Sequence, residues 1–400
     1  MTVYWIWLAM RSGLGPAGIR SLLEFFGDPK RVYEASEEEL IRLGFSQSRC
    51  GTLGEKNLES ARALQERCRA LGIRILTWRD PDYPAPLSLT ENAPPVLFCR
   101  GVLPPSGLRP WIGVVGAREA DERGRATARR LGWQISGCGG VVVTGMAKGV
   151  DAEAARAALE QGGTVVGVLG TGADVVYPKE NQALFERVLS RGCLLSEYPP
   201  GTAPHARHFP ARNRIISALS DGVVVVQASE HSGALITARW AAEQGRDVFS
   251  VPGPAGEALS RGCNQLLREG AILAECGWDV MREYCYRYPG VVRDYQALPP
   301  DLKARPEAAV PGQRRRSPAG TGAPGKNAAV SAPKRRPAPL SEQLSEPQQA
   351  VVKALEDGPL QLDALIDRSG LPAARVLPEL TMLQIKGIVE QKPGKIYGLL

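Results

Sequence analysis

Short apolar runs rich in β-branched residues alternate with longer amphipathic stretches through the middle of the chain. The runs predicted to be strands are residues 111–115, 141–143, 164–169, 194–195, 223–226 and 248–251. The stretches predicted to be helices are residues 124–135, 152–161, 182–190 and 234–244. Strands that alternate with helices of this length form βαβ units. The pattern therefore predicts an α/β fold with a doubly wound, mostly parallel, Rossmann-like sheet over residues 78–295.

The beginning of the chain has a helical pattern. The segment Gly13-Leu14-Gly15-Pro16 precedes apolar residues at helical spacing, namely Ile19, Leu22, Leu23 and Phe26. Glycine and proline before such a run are typical of a helix start. We therefore predict a small N-terminal helical domain, of the helix-hairpin-helix or SAM-like type, over residues 1–77.

The end of the chain, over residues 341–400, has the element order of a winged helix. Helices are predicted at residues 347–356, 362–369 and 373–386, and strands at 388–389 and 396–397 around Pro393-Gly394. The third helix offers only Arg375 and Lys386 for a DNA groove. This favours a protein contact or weak duplex DNA binding over sequence reading.

Residues 296–340 are predicted to be a linker, because proline, glycine and alanine alternate there with arginine clusters and show no helical or strand period. The chain has a formal net charge of +7, and residues 303–340 carry nine basic side chains against one acidic side chain. The rest of the chain holds 40 basic and 41 acidic residues. The linker is either a solubilising tether or an arm that adds non-specific phosphate contacts, including contacts to duplex DNA. Any polyanion site in the folded parts must be a local concentration of charge.

Several classes of protein are disfavoured by the sequence. The apolar run at residues 3–10 is too short to cross a bilayer, so no membrane association is predicted. The eight cysteines form no CxxC pair, which is typical of reduced thiols in a cytoplasmic protein. The histidines at 205, 208 and 231 lack a nearby cysteine or acid cluster, and no P-loop motif occurs. We therefore predict no metal, no cofactor and no ATPase activity.

Three loops of small residues follow predicted strands, and each can open a helix. They are residues 144–151, 170–172 and 232–237. The carboxyl ends of parallel strands meet at one edge of a sheet, where ligands of doubly wound folds bind. The first amides of a helix have no intrahelical partner, and small residues let a phosphate approach them. Basic residues fall at the same strand ends, namely Arg118, Lys148, Lys179, Arg212 and Arg214. The sequence therefore predicts a site for a phosphate-rich polymer at this edge.

Seven segments together resemble the DNA-processing protein A family, DprA/Smf. They are Val115-Gly116-Ala117-Arg118, residues 144–151, Tyr177-Pro178-Lys179-Glu180-Asn181, Ser196-Glu197, residues 209–216, residues 232–238 and Val251-Pro252-Gly253. The resemblance implies a non-catalytic protein that binds single-stranded DNA and loads a RecA-type recombinase in natural transformation and recombination. It also implies a homodimer through the Rossmann-like domain.

The DNA groove that the resemblance implies uses Arg118, Gly145, Lys148, Gly172, Lys179, Asn181, Arg212 and Asn213. The small-residue loops and the strand-end cations add further candidates, namely Thr144, Gly170, Arg214, Ser232, Gly233 and Thr237. Near such a groove, single-strand binders usually stack bases on aromatic rings, for which Tyr177, Phe185 and Phe209 are candidates.

Two alternatives stay open from the sequence. Phosphoribohydrolases of similar fold cleave nucleotides with a PGGxGTxxE loop. In this chain the third residue after Thr237 is Trp240, and the nearest acid is Glu243, so the acid/base position of that loop is empty. The other alternative is a scaffold that contacts the recombinase, with DNA binding secondary.

Overall fold

In the computed structural model, the described residues are 1–45, 47–293, 344–386, 388–392 and 396–399. The chain divides into two compact units, Met1–Pro306 and Glu307–Leu400. The linker predicted over residues 296–340 and the turn predicted at Pro393-Gly394 lie outside the described residues. The domain boundaries drawn from the sequence therefore stay predictions.

A mixed sheet forms the centre of the first unit. Its strands in the described residues are β1 Ile73–Thr77, β2 Val96–Gly101, β3 Trp111–Val115, β4 Val141–Thr144, β5 Val165–Leu169, β6 Cys193–Ser196, β7 Gly222–Val225, β8 Asp247–Ser250 and β9 Ile272–Leu273. Their spatial order is β1-β2-β6-β5-β4-β3-β7-β8-β9. From β6 to β9 every pairing is parallel, whereas β1 and β2 pair antiparallel with each other and β2 pairs antiparallel with β6. The predicted doubly wound, mostly parallel fold is confirmed.

Helices cover both faces of this sheet. They are α7 Ala85–Ser88, α8 Glu122–Gly137, α9 Val150–Glu160, α10 Gln182–Arg191, α11 His208–Leu219, α12 Gly233–Glu243, α13 Ala258–Arg268 and α14 Gly277–Met281. One apolar cluster joins the sheet to α8, α9, α10 and α14, and a second joins it to α7, α11, α12 and α13. Both faces of the strands are therefore buried, which explains why the strands read as continuous apolar runs. Apolar burial of this kind contributes roughly 25 cal/mol per Å².

Small helices form the beginning of the chain. They are α1 Thr2–Ala9, α2 Pro16–Phe26, α3 Pro29–Glu34, α4 Glu37–Arg42, α5 Gln47–Gly54 and α6 Glu59–Ala70. The apolar run at the start is the short helix α1, in which Trp5, Ile6, Trp7 and Leu8 are buried. No helix in the described part of the chain is long and apolar enough to cross a membrane. The helices end at β1, a strand of the large sheet that the sequence analysis placed in the helical domain.

The second unit is a winged helix, as predicted. Its elements are α15 Glu346–Leu355, β10 Leu360–Gln361, α16 Leu362–Ser369, α17 Ala373–Ile385, β11 Val389–Lys392 and β12 Ile396–Leu399. The strands pair antiparallel in the order β10-β12-β11. A buried cluster that includes Val351, Leu365 and Leu380 forms its core. Gly370 ends α16 in the left-handed conformation, with a φ of 68°, which glycine adopts without strain.

Candidate functional site

A cleft of about 550 Å³ lies at the carboxyl edge of the parallel strands. Its walls come from the loops after β3, β4 and β5, from residues 204–210 before and at the start of α11, and from the first turns of α11 and α12. A side lobe of about 210 Å³ adjoins it, because Arg118, Ala147, Tyr177 and Phe209 line both. The cleft is at the edge where the sequence analysis placed the site.

The cleft and its lobe bring together part of the predicted set. Predicted residues in their lining are Arg118, Gly145, Lys148, Arg212, Asn213, Ser232, Gly233 and Thr237. Predicted residues outside that lining are Thr144, Gly170, Gly172, Lys179, Asn181 and Arg214. The two groups differ in what their side chains and backbone amides already contact.

Arg212 forms the floor of the cleft. Only 4% of the residue is exposed, and its Nη1 donates to the carbonyl oxygen of Gly145 at 2.8 Å and to that of Val168. Burial lowers the pKa of Arg212 to about 10, against the opposing effect of Asp151, so the guanidinium stays charged at neutral pH. Burial raises the pKa of the Asp151 carboxyl, against the charge of Arg212 and a hydrogen bond from the Ala147 amide. The Arg212 guanidinium and the Asp151 carboxyl therefore lie near each other at the base of the site.

Arg118 lies on an aromatic wall. Its guanidinium carbon is 5.1 Å from the ring centre of Phe209, a cation–π distance. The ring of Tyr177 is 5.4 Å from the ring of Phe209, and Tyr177 is 39% exposed. Unlike Arg212, Arg118 is exposed. The wall thus presents one cation and two rings to whatever enters the cleft.

The N-terminus of α12 forms another wall of the cleft. Ser232 caps the helix by accepting a hydrogen bond from the Ala234 amide at 3.3 Å. A Cβ built on Gly233 has no heavy atom within 4 Å, so this backbone faces open space. Asn213 of α11 donates to the carbonyl oxygen of Gly233 at 3.1 Å, which fixes the two helix starts together. The positive end of the helix dipole favours an anion here.

The loop after β4 is fixed by hydrogen bonds from a buried side chain. Asn181 is buried, and its Nδ2 donates to the carbonyl oxygens of Met146 at 3.1 Å and Ala147 at 3.2 Å. Lys148 pairs with Glu180 at 2.8 Å, an exposed pair in which Lys148 lowers the pKa of Glu180 and Glu180 raises that of Lys148. Asn181 therefore shapes the loop from inside, and the charge of Lys148 is partly neutralised.

The loop at Gly170-Thr171-Gly172 differs from the sequence expectation, because it does not open a helix directly. A 3₁₀ turn at Lys179–Asn181 and then α10 follow it. The Gly172 amide donates to the carbonyl oxygen of Thr202 at 3.0 Å, so this donor already has a partner. Of the three small-residue loops, the other two open α9 and α12.

Two predicted cations take other positions. Arg214 forms a two-pronged ion pair with Glu197, at 2.7 and 3.0 Å, and both side chains are mostly buried. Lys179 is exposed on the 3₁₀ turn beside the cleft. The geometry therefore assigns Arg214 a structural contact and leaves Lys179 at the rim.

Residues 204–208 come directly before Phe209 and contribute to the cleft lining, and the sequence analysis considered them only through the histidines at 205 and 208. Pro204, Ala206 and Pro210 line the cleft, and His208 begins α11. Their nearness to Phe209 and Arg212 in sequence is a signal that would have found them. Among the described residues, no three histidine, cysteine or acidic side chains cluster as metal ligands. None of the eight cysteines, all of which lie in the described residues, forms a disulfide bond.

Two glycines of the cleft are expected to respond differently to a methyl group. A Cβ on Gly145 would lie 2.6 Å from Nη2 of Arg212 and 2.7 Å from Oδ2 of Asp151. Because both groups are buried and hydrogen-bonded, Gly145→Ala should lower the free energy of unfolding by about 1–3 kcal/mol. Gly233→Ala, with open space around it, should stay within about 0.5 kcal/mol of the wild type. Urea unfolding of both variants measures this, and equal stabilities would contradict the packing described here.

Comparison with known proteins adds to this geometry. The family model described as DNA recombination-mediator protein A matches residues 74–285, and that of the DprA winged helix domain matches residues 335–395. Protein Smf of Synechocystis is 32% identical over 98% of this chain and 98% of its own length. DNA processing protein DprA of Streptococcus pneumoniae is 44% identical over 51% of this chain and 72% of its own length.

The X-ray structure of DprA from Streptococcus pneumoniae is similar to this chain with a TM-score of 0.61 and 35% identity, over 70% of this chain and 97% of that one. The resemblance found in the sequence is confirmed. With a family match over more than half of its residues and a relative that aligns along nearly its whole length, the chain belongs to the DprA/Smf family of DNA-processing proteins.

Proposed function

We propose that the cleft binds single-stranded DNA during recombination and that the protein does not catalyse a reaction on it. The observation that carries the proposal is the convergence of four features on one cleft: the α12 N-terminus, the exposed Arg118, the buried Arg212 and the aromatic pair. An anion site beside an exposed tyrosine and a half-buried phenylalanine suits a polymer that alternates phosphates with flat bases. The family model, which names a recombination mediator, supports the same class of function.

Each wall of the cleft has a role in the proposed complex. A backbone phosphate accepts hydrogen bonds from the Gly233 amide at the start of α12 and from the guanidinium of Arg118. A neighbouring base stacks on Tyr177 or Phe209, at roughly 1–3 kcal/mol per base. Because these contacts use phosphates and ring faces rather than base edges, binding should tolerate any sequence.

The carboxylate of the cleft supports binding rather than hydrolysis. Asp151 is 5% exposed, faces Arg212 and accepts from the Ala147 amide, so it is engaged within the protein. Glu243, the acid that follows Thr237 along the chain, is the last residue of α12, at the opposite end of the helix from the cleft. We therefore propose that the cleft does not cleave nucleotides.

The partners are part of the proposal. We propose that the protein forms a homodimer and loads a RecA-type recombinase onto the bound strand, as the family membership implies. Duplex DNA binding by the winged helix has less support than single-strand binding by the cleft. Two of its cations already have acidic partners, because Arg368 pairs with Asp357 and Lys392 pairs with Glu390. Duplex binding through the winged helix and the basic segment at residues 303–340 stays a prediction.

Charge removal at the cleft tests the binding proposal. Arg118→Ala should weaken binding of a single-stranded oligonucleotide by about tenfold and reduce the slope of log K against log salt by about 0.7, the value for one single-strand phosphate contact. Lys179→Ala, at the rim, should show a smaller loss in the same direction. Fluorescence anisotropy titrations across salt concentrations measure both quantities.

The matched control for these variants is Arg187→Ala. Arg187 is an exposed arginine of α10 outside the cleft lining, so its removal should leave the salt slope unchanged. If Arg118→Ala and Lys179→Ala both kept the wild-type slope, the phosphate contacts would have to lie elsewhere on the protein.

The recombinase proposal has a separate test. A pull-down of purified RecA-type recombinase should recover more recombinase when single-stranded DNA is present than when it is absent, because the strand is where loading occurs. Arg118→Ala should reduce that increase, because it weakens binding of the strand. Capture that is independent of DNA, both in the wild type and in Arg118→Ala, would instead support a scaffold.

Light scattering tests the proposed homodimer. The mass measured in solution should be twice the mass of one chain.

A further inference from the structure

The wall of the cleft that ends in Tyr177 is attached to the N-terminal helices. This wall, the β5 loop, comprises residues 170–178. Within it Ala173 is only 1% exposed. It packs in an apolar cluster with Trp5, Cys68, Ile73, Val96 and Phe98. These residues come from α1, α6, β1 and β2, so the β5 loop is anchored on the side away from the cleft.

Asp174, the next residue of the β5 loop, connects three segments. Its Oδ1 accepts a hydrogen bond from the Gly201 amide at 2.7 Å, and its Oδ2 lies 3.6 Å from Nη2 of Arg67 in α6. Gly201 has a φ of 83°, and a Cβ there would overlap the guanidinium of Arg67. Burial raises the pKa of Cys68 to about 11, and the charge of Asp174 contributes, which places Asp174 beside the same cluster.

The β5 loop and the turn at residues 199–202 are fixed together. The Gly172 amide donates to the carbonyl oxygen of Thr202, and Thr202 donates through Oγ1 to that of Pro199 at 2.6 Å. The β5 loop then continues to Tyr177 and Pro178, which line the cleft or its lobe. A displacement at Asp174 therefore passes to the aromatic wall through only a few residues.

We propose that Arg67 is a positioning residue, through which the N-terminal helices set the conformation of the β5 loop. The proposal rests on the proposed function of the cleft. Its structural basis is the ion pair to Asp174, the space that Gly201 leaves for the guanidinium and the packing of Ala173. Arg67 is 55% exposed at its side chain. An ion pair this exposed contributes little to global stability, so its effect is local.

The chain offers matched variants for a test. Arg67→Glu places a carboxylate against Asp174, and Arg67→Lys keeps the positive charge. Arg69→Glu makes the same charge change on the same helix, at a side chain whose ion pair is with Glu66 of α6 itself. Any long-range effect of charge on DNA binding should therefore appear equally in the Arg67→Glu and Arg69→Glu variants.

Amide hydrogen exchange of the whole protein gives the first readout. In Arg67→Glu the amides of Gly172 and Gly201 should exchange about tenfold faster, whereas Arg67→Lys and Arg69→Glu should stay near the wild type. The amides of β3 should exchange at the wild-type rate in all variants. Unchanged exchange at Gly172 and Gly201 would overturn the proposal. Faster exchange throughout the sheet would also overturn it, by assigning Arg67 to general stability.

Binding of a single-stranded oligonucleotide gives the second readout. Arg67→Glu should bind about threefold more weakly than Arg69→Glu with an unchanged salt slope, and Arg67→Lys should restore the affinity. A reduced slope would mean that Arg67 contacts a phosphate itself, which would overturn a positioning role. If the wild type bound no oligonucleotide, the proposed function would fail, and hydrogen exchange would still decide whether Arg67 holds the wall.

Discussion

The cleft depends on one buried guanidinium. The guanidinium of Arg212 is buried. It donates hydrogen bonds to backbone carbonyls of β5 and of the loop after β4, and it lies near Asp151 at the start of α9. A buried charge is tolerated only when it is paired and hydrogen-bonded. Its partners therefore fix where α11 begins relative to two strands. Phe209 and Asn213, on the same turns of α11, take their places in the cleft because Arg212 is held.

Other contacts lock the loops to one another before any ligand arrives. The Val150 amide at the start of α9 donates to the carbonyl oxygen of Ala117 at 3.2 Å, which ties the loop after β3 to the loop after β4. Gly149 reaches this position with a φ of 72°, and a Cβ there would overlap the backbone at Ala117 and Arg118. Asn213 links α11 to α12 in the same way. A preformed site loses less conformational freedom on binding, so more of the contact energy appears as affinity.

The sequence predicted the parts of this structure that depend on local pattern. The central parallel strands, α12 and the winged helix were found because apolar periodicity and glycine or proline positions define them. The antiparallel pair β1 and β2 was not predicted, because only the four-residue helix α7 lies between these strands and they therefore do not show the βαβ pattern. The state of the cations could not be predicted either. Arg214 forms an ion pair with Glu197, and Lys148 forms one with Glu180, 32 residues further along the chain. A single sequence does not show such pairings.

These pairings bear on what the cleft can bind. The Glu180 carboxylate, whose pKa Lys148 lowers, lies 2.8 Å from the Lys148 ammonium, so a phosphate that approaches Lys148 meets a competing carboxylate. The guanidinium of Arg212 is buried and donates to backbone carbonyls, which leaves Arg118 and the α12 N-terminus as the main attractions for an anion in the cleft. Such a site is weak for one isolated phosphate. A polymer compensates, because each further phosphate binds at a high effective concentration once the first is held. The charge balance of the cleft thus supports the proposal that it binds a strand rather than a mononucleotide.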